Sequence, residues 1–289
     1  MIQQLGLIGC GLMGGSFALA LKQAGLVHQV VGFSPSASTR EKSLTLGVID
    51  RAVQTAADAA RGSDVVLVAV PVAATEASFA AIAPVLQADT LVMDVGSTKQ
   101  DVVAAAQVLG ARLPCLVPAH PIAGKEQAGV AHAQADLYRD KKVILTPTAH
   151  TLATLTDKAR SIWQALGSEV ITMTAAQHDD VFAAVSHVPH LLAFAAVNAL
   201  GSQTNSQELL RMAGPGFRDF SRIAASDPAV WRDILLANRD EVLKQTHLFK
   251  QQLDALTQAI EQGDAQALTY LIESARSIRS PWRMNQAQD

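Results

Sequence analysis

The side chains best suited to acid–base chemistry in this chain follow short apolar runs. Ser97 comes after the run TLVMDVG, and His120 comes directly after PCLVPA. A histidine can accept a proton near neutral pH, because its unperturbed pKa is about 6.5. A serine at such a position can also cap the helix that follows, so the residues alone leave the role of Ser97 open. His120 is therefore the leading candidate for a general base.

The second half of the chain adds the segments SHVPH and GPGFRDFSRI. A single histidine on an apolar helix is more often a hydrogen-bonded core residue. His187 and His190, however, stand three residues apart around a proline that would kink a helix, which favours a functional site. Arg218 and Arg222 are spaced to share one helix face. An arginine is well suited to bind a substrate carboxylate.

The segment GCGLMG at 9–14 has the GxGxxG spacing, between an apolar run and a helical stretch. Gly9 would form the tight turn, Gly11 would let the backbone approach a pyrophosphate, and Gly14 would let helix and strand pack closely. The anion would lie at the helix N-terminus, where free N–H groups favour negative charge. The residues expected to bind the dinucleotide are Gly9, Gly11, Leu12, Met13, Gly14, and, after the third apolar run, Val70 and Pro71.

The segment GFSPSASTR, about twenty residues beyond the glycines, lacks the acidic residue that usually binds the ribose of NAD. Ser34 stands there instead. A serine can donate to phosphate oxygens, and Arg40 can pair with their charge. Ser38 and Glu41 also fit a helix capping box that needs no ligand. The missing acid is not explained that way, so Ser34, Ser36 and Arg40 favour NADP as cofactor, with NAD still possible.

Short apolar runs alternate with Ala-rich stretches up to about residue 173. The runs cover residues 3–8, 29–33, 64–70, 90–96, 114–120, 142–147 and 169–173. Several are hydrophobic throughout, which is typical of strands buried on both faces of a parallel sheet. We predict an α/β fold with a Rossmann-type, doubly wound, mostly parallel sheet over 1–173. Ligands bind beyond the carboxyl ends of such strands, where Ser97 and His120 stand.

The pattern changes after Met173, where apolar residues recur at helical spacing. We predict an all-α domain over 174–289, with one helix starting at Asp227-Pro228. The apolar run at 181–201 is long enough for a bilayer. Because it contains two histidines, a proline and an asparagine, we predict a buried helix rather than a membrane span.

The composition excludes several classes of partner. Hydrophobic residues make up 49% of the chain and can fill a large core, whereas charged residues make up 17% and the net charge is −3. This balance gives no reason to expect nucleic acid or a membrane surface as partner. Cys10 and Cys115 are too few for a disulfide framework and suit a reducing cytosol, so we expect a cytoplasmic protein. No metal site is predicted.

Five segments together resemble the prephenate/arogenate dehydrogenase family of tyrosine biosynthesis, and they occur in that family's order. The segments are GLIGCGLMGGSFALAL, DVGSTK, PAHPIAGKE, SHVPHLLAFA and GFRDFSRIAASDPAVWRDI. The resemblance runs essentially from end to end, and the HPxAG and SHxPH motifs are more diagnostic than GxGxxG. It implies oxidative decarboxylation of prephenate or arogenate with hydride transfer to NAD(P)+, by a homodimer formed through the helical domain.

The resemblance also implies roles for individual residues. His120 matches the catalytic histidine that accepts the proton of the substrate's C4 hydroxyl, and Ser97 matches the serine that shares this hydroxyl. His190 matches a histidine near the ring carboxylate, with His187 as a second substrate-binding candidate. Arg222 matches the arginine that binds the side-chain carboxylate.

Three further residues complete the expected substrate pocket. Glu126 and Trp231 match residues that gate or line it. Lys125 stands where many members of the family carry threonine, near the expected mouth of the pocket. This departure leaves open whether the substrate carries a keto acid or an amino acid side chain.

Two other readings of the sequence remain. One is another two-domain NADP oxidoreductase, of the β-hydroxyacid dehydrogenase or pyrroline-carboxylate reductase type. Such an enzyme would need a catalytic lysine in the helical domain, where this chain has SHVPH. The other is a nucleotide-sensing protein without turnover, which would not need His120, Ser97 and Arg222 together.

Overall fold

The structure, a computed structural model, describes residues 1–125 and 127–283. The chain forms two compact units, Met1–Arg239 and Asp240–Asp289. The residues predicted to bind cofactor or substrate all belong to the first unit. The proposed domain boundary at residue 173 stays a prediction.

The described strands of the first unit form two sheets. They are β1 (Ile2–Ile8), β2 (Val27–Phe33), β3 (Arg51–Ala52), β4 (Val65–Val68), β5 (Leu91–Asp94), β6 (Leu116–Val117), β7 (Ala119–Pro121), β8 (Lys142–Leu145) and β9 (Glu169–Thr172). The larger sheet has the order β3-β2-β1-β4-β5-β6, with all pairs parallel. The strand order reverses between β1 and β4, which is where a doubly wound sheet binds its ligand. The predicted Rossmann-type fold is confirmed.

Helices pack against the strands of the larger sheet, and the described residues after β9 form helices and the turns that join them. Those between the strands are α1 (Leu12–Gln23), α2 (Ala37–Thr45), α3 (Ala56–Ala60), α4 (Thr75–Ile82), α5 (Gln100–Ala105) and α6 (Ala153–Ala165). Those that follow in the first unit are α7 (Ala175–Phe182), α8 (Val188–Gly201), α9 (Ser206–Arg211), α10 (Pro215–Ser221) and α11 (Pro228–Ala237). The second unit contains α12 (Arg239–Glu261), from its second residue onward, and α13 (Ala265–Arg279). The helical character predicted after Met173 is confirmed.

The central strands are buried over most or all of their length. Every residue of β4 and β5 is buried, and so are the last four residues of β1. This burial explains why their sequences are apolar throughout rather than alternating. The strands form a rigid frame whose carboxyl ends carry the polar residues of the site.

The predicted strand at 114–120 is two strands in the structure. Pro118 separates β6 from β7; it has no N–H to donate to a sheet, and its carbonyl accepts from Thr146 N at 2.9 Å. The chain therefore leaves the larger sheet at Pro118. β7 pairs antiparallel with β8 in a separate sheet of order β7-β8-β9. His120 lies in β7 and is therefore carried away from the larger sheet.

The apolar run after β9 is one kinked helical segment. Helices α7 and α8 are joined by a π-helical turn at Ala183–His187, and Pro189 lies in the first turn of α8. A proline clashes with the carbonyl four residues earlier, and a wider turn relieves that clash. The run Ala175–Gly201 is long and apolar enough to cross a membrane by length and composition. Only 28% of its apolar window is buried within the chain, so the buried helix expected from the sequence is not observed. The π-helical turn ends at His187, and His190 lies in the first turn of α8, so the two SHVPH histidines flank this kink.

Candidate active site

The glycine loop between β1 and α1 forms the cradle expected for a pyrophosphate. Gly9 has φ +95°, and a Cβ there would lie 2.1 Å from the carbonyl oxygen of Ala69. A Cβ on Gly14 would lie 2.3 Å from the carbonyl oxygen of Gly9. Both positions therefore require glycine. A Cβ added to Gly11 would meet no atom within 4 Å, so there is open space beside this residue. No described side chain caps α1. The free N–H groups of its first turn suit an anion.

The loop after β2 differs in one respect from the sequence expectation. The N-cap of α2 is Ser36, whose Oγ accepts from Thr39 N at 3.3 Å, whereas Ser38 lies inside the helix. The prediction of a capping box at Ser38 is therefore wrong, because the helix is capped two residues earlier, at Ser36. Ser34 is buried, and the Arg40 guanidinium donates to its carbonyl. The same guanidinium donates to the side chain of Gln54 at 3.0 Å, which holds a positive charge against the loop.

Two neighbouring cavities open at the carboxyl ends of β1, β4 and β5. The first, which we call the His120 cavity, has a volume of about 840 Å³. The predicted residues that line it are Ser97, His120, Lys125, His190, Arg222 and Trp231. The second, the glycine-loop cleft, has a volume of about 410 Å³ and is lined in part by Gly11, Leu12, Met13, Val70 and Pro71. Ser97, Lys125 and Trp231 line both, so the two spaces meet.

His120 stands at the end of a chain of three side chains. Its Nδ1 lies 2.7 Å from His178 Nε2, and His178 Nδ1 lies 2.7 Å from a carboxylate oxygen of Asp179. The ring of Phe182 packs edge-on against His120, with centroids 4.9 Å apart. Because Nδ1 is engaged, Nε2 is the ring nitrogen of His120 left for the cavity. A histidine presented in this way can act as a general base.

Asp179 is fixed by three further contacts. Its two carboxylate oxygens accept the backbone N–H groups of Lys99 and Gln100, each at 2.8 Å. These are N–H groups at the start of α5, so Asp179 caps this helix from α7. Its carbonyl accepts from Asn238 Nδ2 at 2.8 Å. Burial would raise the pKa of Asp179, but the hydrogen bonds from His178, Gln100 and Lys99 hold it below its usual value.

The histidines of this region are neutral near pH 7. Burial holds the pKa of His120 well below 6.5, and repulsion from His178, Lys99 and His187 lowers it further. Burial also lowers the pKa of His178, although its hydrogen bond to Asp179 opposes the shift. A neutral imidazole is the form that can accept a proton. His120 is thus held in the protonation state that a general base would need.

A buried ion pair joins the strand end that carries Ser97 to the strand that carries His120. Lys99 Nζ contacts the carboxylate of Asp94 and donates to the carbonyl of Ala119 at 3.0 Å. Asp94 in turn accepts the N–H of Ala119 at 3.0 Å. Lys99 is 0% exposed, and Asp94 is 2% exposed. The pair fixes the distance between β5 and β7 at the site.

The structure places His187 beneath the site rather than in the His120 cavity. The side chain is 1% exposed, and its Nδ1 accepts from Asn238 Nδ2 at 3.1 Å. It is also hydrogen-bonded to the backbone of Ser97, and burial lowers its pKa to about 4. Its position corrects the expectation of substrate contact: His187 supports Ser97 from behind. Ser97 itself does not cap α5, whose N-cap residue is Lys99.

His190 and Trp231 form one wall of the His120 cavity. Their rings stack with centroids 3.5 Å apart and planes 20° apart. His190 Nδ1 donates to the carbonyl of Ser186 at 2.9 Å, which leaves Nε2 as its remaining polar atom. Burial lowers the pKa of His190, the Ser186 bond opposes this, and the charge of Arg222 lowers it further. Arg222, at the start of a 3₁₀ turn, supplies positive charge to the same cavity.

Three of the residues singled out in the sequence remain to be placed: Lys125, Glu126 and Arg218. Lys125 lines the cavity mouth and is exposed. Glu126 lies outside the described residues. Arg218 pairs with Asp219 at 2.9 Å on the exposed surface and does not line the cavity, which leaves Arg222 as the arginine of the site. Among residues 1–125 and 127–283, no group of three or more His, Cys, Asp and Glu could hold a metal ion.

Sequence reasoning missed His178, Asp179 and Lys99. The first two precede the SHVPH motif by two to three helical turns, and the signal available was a His-Asp pair at the start of an apolar helix. For Lys99, the signal was a lysine five residues after an aspartate at a strand end. Neither signal shows the role of these residues at the site, because His120, which His178 contacts, and Ala119, which Lys99 contacts, come from elsewhere in the fold.

The glycine cradle, the sheet switch point and the adjoining cavity with its neutral histidine define a nicotinamide-nucleotide-dependent dehydrogenase. The family model "Prephenate dehydrogenase, nucleotide-binding domain" matches residues 17–172, and "Prephenate dehydrogenase, dimerization domain" matches residues 174–274. The chain therefore belongs to the prephenate dehydrogenase family.

Relatives of known activity support this assignment. The chain is 35% identical to a prephenate dehydrogenase of Bacillus subtilis over 94% of its own length and 74% of the relative. It is 35% identical to a cyclohexadienyl dehydrogenase of Zymomonas mobilis over 94% of its length and 92% of the relative. The crystal structure of Aquifex aeolicus prephenate dehydrogenase in complex with hydroxyphenyl propionate and NAD+ superimposes with a TM-score of 0.90 at 34% identity, covering 97% of this chain and 98% of that one. The resemblance to this family is thereby confirmed, against the other oxidoreductase types.

Proposed function

We propose that the protein catalyses the oxidative decarboxylation of prephenate to 4-hydroxyphenylpyruvate, of L-arogenate to L-tyrosine, or of both, in tyrosine biosynthesis. The observation that supports this most is the pairing of a neutral His120 with Arg222 in one cavity that meets the glycine-loop cleft. The chemistry needs both: a base for the C4 hydroxyl and a cation for a carboxylate. The bound nicotinamide supplies the hydride acceptor.

The residues of the cavity divide the work of this reaction. His120 Nε2 takes the proton of the C4 hydroxyl while the C–H bond at C4 breaks and a carbonyl develops. The bond from C1 to the ring carboxylate then breaks, its electron pair enters the ring, and CO₂ leaves. The oxygen at C4 becomes a phenol when the proton returns to it. Ser97 shares the hydroxyl, and Arg222 holds the side-chain carboxylate away from the reacting carbons.

Lys125, His190 and Trp231 complete the proposed substrate contacts. His190 presents Nε2 toward the ring carboxylate, with its ring held in place by the stack on Trp231. Lys125 adds a second cation at the cavity mouth. We extend the assignment to Glu126 on the family resemblance alone.

A direct assay tests the activity. Reduction of NADP+ and of NAD+ is followed optically with prephenate, L-arogenate and a set of 3-hydroxyacids in parallel. Turnover of prephenate or arogenate is expected, and their kcat/KM values give the substrate preference. Turnover of 3-hydroxyacids alone, or of no substrate, would refute the proposed activity.

NADP+ is the proposed preferred cofactor. Support comes from Ser34 in place of an acid and from the Arg40 charge held against the same loop. A carboxylate at position 34 would repel a 2′-phosphate and accept hydrogen bonds from a ribose diol. Ser34→Asp is therefore expected to shift the ratio of kcat/KM for NADP+ over NAD+ toward NAD+ by at least about tenfold. Arg61→Gln, an exposed arginine outside the loop, serves as the control. A wild-type preference for NAD+ would contradict the proposal.

The assembly and location are proposed on the same basis. The dimerization-domain match over residues 174–274 supports a homodimer formed through the helical domain. Light scattering after size-exclusion chromatography tests it, and a monomer at micromolar concentration would contradict it. We also propose a cytoplasmic protein without a membrane span, because the run Ala175–Gly201 carries the buried polar chain of the site.

A further inference from the structure

The hydrogen-bond chain behind His120 allows only one arrangement of protons when both histidines are neutral. Asp179, as a carboxylate, can only accept, so His178 Nδ1 must carry the proton between them. His178 Nε2 is then an acceptor. The 2.7 Å contact to it requires a proton on His120 Nδ1. The lone pair of His120 is thereby placed on Nε2, the nitrogen left for the cavity.

We propose that His178, held by Asp179, is a positioning residue for catalysis: it fixes the tautomer of His120 and shares the proton that His120 takes up. This inference rests on the proposed function for its kinetic consequences. When the substrate O–H bond breaks and the Nε2–H bond forms, His120 gains one positive charge. The proton on its Nδ1 already points at His178 Nε2, so the charge is shared along the chain toward the Asp179 carboxylate. Return of the proton to the product oxygen restores the starting state without net proton release.

The geometry supplies what this role requires. His178 is 0% exposed and Asp179 is 1% exposed, so no bulk water competes for the contacts. The ring of Phe182 lies 4.5 Å from that of His178 and 4.9 Å from that of His120, which restricts both imidazoles. The backbone N–H groups of Lys99 and Gln100 donate to the Asp179 carboxylate, which keeps it ionised and directed at His178.

Other charged groups also face this chain and must be considered in any pH measurement. They are Lys99 and His187, which lower the pKa of His120, and Lys99 and Asp94, which act on His178 in opposite directions. None of them lies within the contact between the two imidazoles. The tautomer is therefore set by His178 and Asp179.

Substitutions at His178 separate the proposed role from a packing role. Asp179 is a poor target because its carboxylate also caps α5. His178→Gln places a neutral acceptor near the position of Nε2, so it can hold the tautomer of His120 but cannot take up a proton. His178→Met fills a similar volume and offers His120 no strong acceptor. His150→Gln, an exposed histidine away from the site, is the control.

The first measurement is the ¹⁵N spectrum of protein labelled at its histidine rings, because protonated and unprotonated ring nitrogens resonate in separate ranges. A His120→Gln spectrum assigns the His120 signals. In the wild type at pH 7, Nδ1 of His120 is expected to be protonated and Nε2 unprotonated. His178→Gln should keep this pattern, whereas His178→Met should give mixed tautomers. A wild-type His120 that carries its proton on Nε2 would overturn the proposal without any variant.

The second measurement is steady-state kinetics on variants whose melting temperatures show that they are folded. His178→Met is expected to lower kcat by about 10²-fold with KM changed less than about twofold, and His178→Gln to recover only part of that loss, because glutamine holds the tautomer but takes up no proton. Full recovery in His178→Gln would show that His178 does not share the proton. Equal kcat losses in both variants, with the tautomer unchanged, would reduce His178 to a packing residue. If the wild type turns over neither prephenate nor arogenate, the proposed function fails, yet the ¹⁵N spectra still test the tautomer.

Discussion

Lys99→Met would test whether the buried ion pair holds the site together. Lys99 Nζ contacts Asp94 and donates to the Ala119 carbonyl, next to His120. Methionine has a similar length and no charge. The variant therefore removes one partner of a fully buried pair and leaves the other in place.

The expected loss follows from what remains around Asp94. Removal of one partner from a buried pair costs about 3–5 kcal/mol, because the other charge stays buried without compensation. Asp94 would still accept the N–H groups of Gly96 and Ala119, at 2.7 and 3.0 Å, so we place the loss near the lower end, about 3 kcal/mol. At about 2 °C per kcal/mol for a chain of this size, the melting temperature should fall by roughly 6 °C.

A double-mutant cycle is the appropriate assay. Melting temperatures are measured by circular dichroism for Lys99→Met, Asp94→Asn and the double variant. The double variant should lose clearly less than the sum of the single losses, since no charge is then left unpaired. A change of less than about 2 °C in Lys99→Met, or additive losses, would refute the assignment of the pair as a structural link.

The same variant has a consequence for the pH profile. Lys99 lowers the pKa of His120, so its removal should raise that pKa. Because the base must be unprotonated, activity falls as the pH falls through its pKa. The acid limb of kcat/KM should therefore move to higher pH in Lys99→Met. A limb that stays in place or moves to lower pH would show that another group controls it.

Three further predictions concern single residues. His120→Asn should lower kcat by about 10²-fold or more with little change in KM, and near-normal turnover would remove His120 from its role. Arg222→Ala should raise the KM for prephenate or arogenate by at least about tenfold, while the exposed Arg218→Ala should not; the reverse result would make Arg218 the carboxylate-binding residue. Folding lowers the pKa of His187 from 6.5 to about 4, because burial disfavours the charged imidazole. The neutral ring therefore adds about 3 kcal/mol to the free energy of unfolding above pH 6.5, and this contribution is lost as the pH falls toward 4. Urea unfolding from pH 7 to 4.5 should show this loss, and His187→Gln should flatten it.

The sequence was sufficient for the parts of the site that lie at strand ends. Ser97 and His120 could be placed together because the neighbouring parallel strands β5 and β6 end at the same edge of the sheet. His120 follows the end of β6 closely enough to stay near Ser97, although it lies in β7. Gly9 and Gly14 could be placed because their turn geometry is local. The Asp227 cap of α11 is equally local, and the structure shows it accepting the N–H groups of the first helical turn.

The sequence was not sufficient where a contact depends on how elements pack. His178 could be recognised only after α7 was known to pack against α5 and the end of β7. The N-cap of α2 was predicted at Ser38 and lies at Ser36. The sequence could not distinguish the two positions, because serines alternate along that loop and each one fits a cap. Pro118 was read as part of one strand. Its effect is to send β7 into another sheet, and that depends on the pairing of β7 with β8, which the local sequence does not show.

In the proposed mechanism, the residues that supply positive charge to the cavity are different from the residue that accepts the proton. A histidine that bound an anionic substrate as a cation could not also accept a proton from it, because both roles use the same nitrogen. Here the cations that face the His120 cavity are Arg222 and Lys125, while burial and the charge of Lys99 keep His120 neutral. In the proposed mechanism, the carboxylate that stabilises the protonated base is Asp179, which lies behind the rings of His178 and His120 and outside the reach of substrate. Binding and proton transfer can therefore be altered independently, and mutations at Arg222 and at His178 should affect KM and kcat separately.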